Sequence, residues 1–200
     1  MNNEVPASFF GKRLNSDEEF DRLYPYALQK VAKRHWTPVR IARLAAAFLG
    51  NKGGRVLDIG SGIGKFCLTG ASDHPDVYFC GVEQRAHLVR HAVRVQKQLG
   101  LQNASFINSN FTELNLREYD HFYFYNAFFE NIDNGDRIDP SVNYSEAHYV
   151  YYVQYLKNAL QEMPRGTRIV TYHSLKDEIP QGYALLEKLE GGDLNFWERK

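Results

Sequence analysis

The 200-residue chain is poor in cysteine and shows no excess of charge of either sign. Its two cysteines, Cys67 and Cys80, form neither a Cys-x-x-Cys pair nor a Cys/His cluster. That excludes a disulfide framework and gives no expectation of a metal. Both fall in apolar stretches, as buried free thiols of a reducing compartment do. Lysine plus arginine and aspartate plus glutamate balance at 24 each. A domain built mainly to grip phosphates is basic, so nucleic acid is not the expected partner. No apolar run approaches the roughly 20 residues that span a bilayer, and no membrane partner is expected. Residues 1–13 are polar and lack the apolar centre of a secretion signal, so the expected location is cytoplasmic. There is no internal repeat, no low-complexity stretch and no signature of an oligomeric state.

What is present suffices for one sizeable core: 44% of the residues are hydrophobic, with 13 Tyr and 13 Phe. Ser16 followed by Asp17, Glu18 and Glu19 reads as a capped helix start, with Pro25 as a candidate break. A second helix is expected to open at Thr37-Pro38, with a stripe of Ile41, Leu44, Ala45 and Phe48, and to close at Gly50. Strands and helices then alternate. Strands are expected at 55–59, 77–82, 105–107, 121–125 and 168–172, with helices at 64–72, 86–99 and 145–162. A loop rich in Asn and Asp fills 126–144. Residues 183–189 and 194–198 flank Glu190-Gly191-Gly192-Asp193, a hairpin signal. The alternation implies an α/β fold: a doubly wound, mostly parallel seven-stranded sheet with a C-terminal antiparallel hairpin, in a three-layer α-β-α sandwich. The domain reading is a helical segment or lid over 1–36 and a main domain over 37–200.

The most informative stretch is Arg55-Val-Leu-Asp58-Ile-Gly60-Ser61-Gly62-Ile-Gly64-Lys65. A buried strand runs into glycines at every second position, and about twenty residues on a second strand ends in Gly81-Val82-Glu83. A glycine turn followed by an acid at the next strand end is how a parallel sheet holds a nucleoside. A P-loop fails, because its first glycine falls at Ile59 and its hydroxyl at Phe66. A dinucleotide turn wants a third glycine at Lys65. The remaining reading is S-adenosylmethionine, with an acid and then glycines at alternate positions: Asp58, Gly60, Gly62, Gly64. Glycines remove the Cβ atoms that would keep a ligand off the backbone, and Glu83 can accept both hydroxyls of a ribose.

On these residues the chain resembles the class I, seven-strand, Rossmann-like S-adenosylmethionine-dependent methyltransferases. The resemblance implies that Gly60, Ser61, Gly62 and Gly64 form the cofactor turn, Asp58 orders it, Glu83 binds the ribose and Gln84 lies by the adenine. It further implies that Asn110, standing where the family places an acid, accepts from the adenine amino group, with Phe111 on the adenine face.

Chemistry is sought at the end of the fourth strand, in Phe124-Tyr125-Asn126-Ala127-Phe128-Phe129. This resembles a proline-free version of the Asn/Asp-Pro-Pro-Tyr/Phe motif of amino-group methyltransferases. The glycine turn and residues 124–128 are also locally similar to the seven-strand histone lysine methyltransferases. Asn126 is therefore the candidate positioning group, also in reach of the cofactor, and Phe128 (or Phe129) its aromatic partner. Across residues 130–139, Glu130, Asp133, Asp136 and Asp139 oppose Arg137, a net of minus three. A negative rim favours a cationic acceptor, such as a protein lysine or a small amine. The expected function is N-methylation of such an acceptor. The alternatives are a small-molecule O- or C-methyltransferase, a non-catalytic S-adenosylmethionine-binding subunit and, disfavoured by Lys65, a nicotinamide oxidoreductase. Lesser candidates are Trp36 as a lid or staple, His173 at the end of the fifth strand, and a basic stripe of Arg90, Arg94 and Lys97.

Overall fold

A computed structural model describes residues 13–133, 137–174 and 178–200. Three short helices, α1 (Asp17–Asp21), α2 (Tyr26–Gln29) and α3 (Ala32–His35), form an N-terminal arm. After α4 (Val39–Gly50) come β1 (Arg55–Ile59), α5 (Lys65–Asp73), β2 (Tyr78–Glu83), α6 (Ala86–Leu99), β3 (Ala104–Asn108) and β4 (His121–Tyr125). The chain closes with α7 (Glu146–Gln161), β5 (Arg168–Tyr172), β6 (Tyr183–Leu189) and β7 (Leu194–Arg199).

The seven strands lie in the order β3-β2-β1-β4-β5-β7-β6. β1 to β5 are mutually parallel, and β7 runs antiparallel between β5 and β6. The architecture expected from the alternating pattern is therefore the one observed. The strand order reverses direction between β1 and β4, which opens a crevice at their carboxyl ends. Gly60 leaves β1 there and Asn126 leaves β4.

The two sheet faces are covered unequally. Val56, Phe79, Tyr123 and Val170 face α4 and α5, and the ring of Tyr123 stacks on Phe66 at 3.9 Å between centroids. Their neighbours along the strands, Leu57, Cys80, Phe122 and Ile169, point to the other face, under Leu156 and Leu160 of α7. The alternation is the period of two that a strand imposes. The arm joins the first side: Phe20, Leu23, Tyr24 and Trp36 share a cluster with Ile63, Leu68, Leu88 and Val95. Packing is continuous across residue 36, where the sequence reading places a division. Trp36 is buried and lies 5.1 Å from Tyr24, as a staple into that cluster. Residues 1–12 of the expected segment lie outside the described residues.

One local expectation is corrected. Thr37 does not cap α4; its hydroxyl pairs with that of Tyr123 at 2.9 Å. The Val39 N–H instead donates to Asp17 of the arm at 2.9 Å, a cap supplied from 22 residues away. α4 does close at Gly50, its last helical residue, and a left-handed glycine follows at Gly53, φ +71°. Ser16 does cap α1, accepting from the Glu19 N–H at 3.2 Å. No helix among the described residues is long and apolar enough to cross a membrane.

Candidate active site

The glycine turn stands at the crevice because β1 is locked on both sides. Ile59 pairs with Val82 of β2 and with Phe124 of β4. The carbonyl of Val82 then accepts from the N–H groups of both Gly60 and Ser61, at 3.0 Å each. Gly60, Gly62 and Gly64 all have positive φ, between +53° and +82°. A Cβ on Gly60 would come within 3.1 Å of the Ala127 methyl, whereas one on Gly62 meets nothing within 4 Å. The turn is pinched at Gly60 and open at Gly62. At Gly64 a Cβ would strike the Phe106 ring at 2.4 Å, so this glycine serves packing of helix on sheet. Ser61 faces Gly81, and its buried hydroxyl has no partner among the described residues.

Gly60 and Ala127 divide the crevice into two adjoining clefts. One holds about 520 Å³ of empty space and is lined by Glu83, Gln84, Ser109, Phe111, Phe128 and Tyr152, among others. The other, of about 600 Å³, is lined by Arg34, His35, Gly62, Tyr125, Asn126 and Phe129, among others. A third recess below the turn reaches Asp58, Trp36 and Lys65.

Glu83 is 5% exposed and stands between the clefts. One oxygen accepts from the Gly62 N–H at 3.2 Å. The other accepts from the Arg85 N–H at 2.9 Å and the Arg85 guanidinium at 3.2 Å. The expectation that Asp58 orders the turn is thus corrected: Glu83 holds Gly62. Asp58 lies beneath, buried, with the Cys67 thiol 3.7 Å from its carboxylate. Burial pushes its pKa up to about 8, so it stands protonated at neutral pH.

Arg85 is the residue that sequence reasoning missed. It is 8% exposed and its guanidinium joins Glu83 to Glu130, Tyr144 and Asp139 of the long loop. Burial alone would weaken its charge, but Glu83 and Glu130 together raise its pKa above the ordinary arginine value. Tyr144 passes the link on, donating to the Asp139 carbonyl at 2.8 Å. No local pattern announces these partners, which lie 45 to 59 residues away.

The negative rim is corrected by the same network. Glu130 and Asp139 are spent on Arg85, with His87 3.3 Å from Asp139 and His35 3.9 Å from Glu130. Asp136 lies outside the described residues. Asn110 also departs from expectation. Its carbonyl oxygen caps the next turn, accepting from the Thr112 N–H at 3.1 Å and hydroxyl at 3.0 Å. Its amide donates to Tyr152 at 2.8 Å and to Gln84 at 3.4 Å. Both acceptor positions are taken, which leaves nothing for an adenine amino group. Phe111 lies in the first cleft, stacked on Phe128 at 5.2 Å. Phe128 is therefore a wall of the Glu83 cleft, and it is Phe129 that shares the second cleft with Asn126. Asn126 itself has φ +46°, a conformation asparagine tolerates better than most residues, and its N–H donates to the Tyr172 carbonyl at 3.1 Å. His173 turns instead toward Asp193, at 3.5 Å.

The neighbours in sequence and structure agree with this geometry. A family model described as "Putative methyltransferase" matches residues 52–121. Over 54 residues the chain is 48% identical to the tRNA (guanine-N(7)-)-methyltransferase of Synechococcus sp. (strain JA-3-3Ab), covering 27% of this chain and 23% of that protein. TrmN from Thermus thermophilus superposes with a TM-score of 0.61 at 23% identity, over 86% of this chain and 52% of that one.

The chain carries the class I methyltransferase fold. An RNA methyltransferase from Salinibacter ruber, solved in complex with S-adenosyl-L-homocysteine, shares it with a TM-score of 0.53 and 19% identity, over 80% of this chain and 86% of that one. The chain spans about a quarter of the length of the curated relatives it matches, at 23 to 26%. The names of those relatives overturn the expectation, drawn from balanced charge, that nucleic acid is not the partner.

The residues present fit S-adenosylmethionine as a methyltransferase of this class uses it. The open backbone at Gly62, the carboxylate of Glu83 beside it and the apolar wall of Phe111 and Phe128 suit an amino acid end, a ribose and a flat base in turn.

Proposed function

We propose that this chain transfers a methyl group from S-adenosylmethionine to a ring nitrogen of an RNA base. The observation that carries the reading is the placement of Asn126 in one of two clefts that adjoin at Gly60 and Ala127, with Glu83 lining both. When bound, the cofactor supplies a methyl on a positively charged sulfur, already activated toward attack. Glu83 would fix the sugar, Phe111 and Phe128 the base, and Asn126 the acceptor ring. A ring nitrogen such as guanine N7 has a free lone pair and no proton to lose. Attack forms the nitrogen–carbon bond as the sulfur–carbon bond breaks. The electron pair returns to sulfur, and the positive charge passes to the ring. No general base is required for such an acceptor.

The RNA acceptor is favoured over a lysine because Arg85 takes up the acids that would have attracted a cation, and because the matched relatives bear tRNA methyltransferase names. The test is transfer from methyl-labelled cofactor into a mixture of tRNA, protein and metabolites. The expected result is label removed by ribonuclease and retained after protease. Label in protein or small molecules alone would overturn the acceptor. Tight binding of S-adenosylhomocysteine with no labelled product would leave a cofactor-binding subunit.

A further inference from the structure

Charge is balanced over the whole chain but not along it. Residues 22–57 contain eight lysines and arginines and no aspartate or glutamate. Several of these bases are tied to the body of the fold, as Arg43 is to Asp73 and Lys52 to Glu198. In the arm, among the described residues no carboxylate pairs with Arg22, Lys30 or Lys33, and all three are exposed. Tyr26 stands among them, 74% exposed, with the Lys30 ammonium 5.4 Å from its ring centroid.

The α6 stripe adds to the same face. Its fourteen residues include no acid, and Arg90 and Arg94 are exposed. The Arg94 guanidinium donates to the Leu23 carbonyl, next to Arg22, which fixes helix and arm side by side. His91, facing Tyr24, has its pKa lowered by burial and then by Arg94, His87 and Arg90, as expected within a positive field. The arm's own acids all lie in α1: Asp17 and Asp21 point inward to Lys65 at 2.6 and 2.8 Å, Glu19 accepts from the Asn15 N–H at 2.9 Å, and Glu18 is exposed.

At its end the arm reaches the acceptor cleft. Tyr125, the residue before Asn126, donates to the Arg34 carbonyl at 2.8 Å, and Arg34 and His35 line that cleft. We propose that the outer face of the arm, continued by α6, is a docking track for the sugar-phosphate backbone of an RNA strand leading into the Asn126 cleft. The lysines and arginines would meet phosphates, and Tyr26 offers an exposed ring on which an unpaired base can stack. An acidic polypeptide would satisfy the charges but has no flat bases for Tyr26. The track rests on the RNA reading of the preceding section and adds to it which surface of this chain takes the strand.

The test uses the full chain, saturated with S-adenosylhomocysteine, and a fluorescent tRNA transcript titrated over a range of salt. The triple variant Arg22→Gln/Lys30→Gln/Lys33→Gln is compared with a charge-matched control, Lys157→Gln/Arg165→Gln/Lys188→Gln, placed away from the arm. Each lost phosphate contact flattens the slope of log affinity against log salt by roughly 0.7 to 0.9, so the triple variant is expected to flatten it by about two and to bind about tenfold or more weakly at low salt. Tyr26→Ala should weaken binding with the slope unchanged. Equal affinity and slope in variant and control would overturn the track, as would poly-glutamate held through these residues while RNA is not. RNA held through them upholds the track even where no methyl reaches RNA, and that result would overturn the transfer reading alone. RNA methylated equally by wild type and triple variant would overturn the track alone.

Discussion

Glu83 and Arg85, two residues apart, are bonded twice, through the Arg85 N–H at 2.9 Å and through its guanidinium at 3.2 Å. The carboxylate proposed to hold a ribose is thus also the anchor of an arginine that ties down the long loop through Glu130 and Tyr144. Glu83→Gln keeps the shape and removes the charge, and a lost hydrogen bond to a charged group costs about 1.5 to 3 kcal/mol. Affinity for S-adenosylhomocysteine by calorimetry should fall at least tenfold. An unchanged dissociation constant would remove Glu83 from the cofactor site.

Asp58 makes stability depend on pH in an uncommon direction. Its carboxyl has an ordinary value of 3.8 and stands at about 8 in the fold. Between those values the native chain holds a proton that the unfolded chain has released. Stability conferred by the neutral acid is full below the lower value and is lost as pH rises toward the upper one, by at most about 1.4 kcal/mol per pH unit. Denaturant midpoints from about pH 5 to 8 should fall in the wild type and stay flatter in Asp58→Asn. Parallel curves would mean that Asp58 is ionised in the native chain.

Asn126 combines a left-handed backbone with a side chain in the acceptor cleft. Asn126→Gly preserves the first and removes the second. It should lower kcat by about a hundredfold, in the range of other groups that position a reacting atom, with cofactor affinity intact. Wild-type turnover in that variant would show that the turn alone matters.

Gly60→Ala places a methyl 3.1 Å from Ala127 at φ +76°, at the boundary of the two clefts. It should destabilise the chain by about 1 to 2 kcal/mol and abolish cofactor binding. Gly62→Ala carries the backbone cost with no clash inside the protein. Its loss of affinity should therefore exceed its loss of stability, since only a ligand occupies that space. Equal affinity in Gly62→Ala and wild type would show that nothing docks against the open turn.

Lys65, 4% exposed, sits 2.6 Å from Asp17 and 2.8 Å from Asp21 and lies over the rings of Phe20 and Trp36. Lys65→Met strips both acids of their partner and should cost about 2 to 4 kcal/mol. Hydrogen exchange should quicken first over residues 16–36. Uniform quickening across the chain would mean that the lysine does not specifically hold the arm.

What was legible in the sequence was what is locally encoded. The helix Ala86–Leu99 and the strands His121–Tyr125 and Arg168–Tyr172 fall where periodicity and flanking turns put them. The glycine turn was readable because left-handed backbone and close approach both demand glycine. Partners distant in sequence were not readable. Nothing local distinguishes Asp17 as the cap of α4, Arg85 as the tie of the loop, or Lys65 as the post of the arm. Lys65 was read only as unfit for a dinucleotide turn, while its partners are aspartates 44 and 48 residues earlier. Asn110 misled because a motif position predicts a role only while its side chain is unspoken for. Balanced charge misled because a total over the chain conceals an uneven spread along it.

The place of β7 between β5 and β6 bears on how the molecule is made. The last of these seven strands in sequence is an interior one, antiparallel to both neighbours. While a ribosome still shields residues 194–199, Thr171 and Tyr172 present unpaired amides and carbonyls, and β6 has nothing to join. Until residues 194–199 pair there, β5 carries a sticky margin, so a lesion in β7 exposes two strand edges at once rather than one.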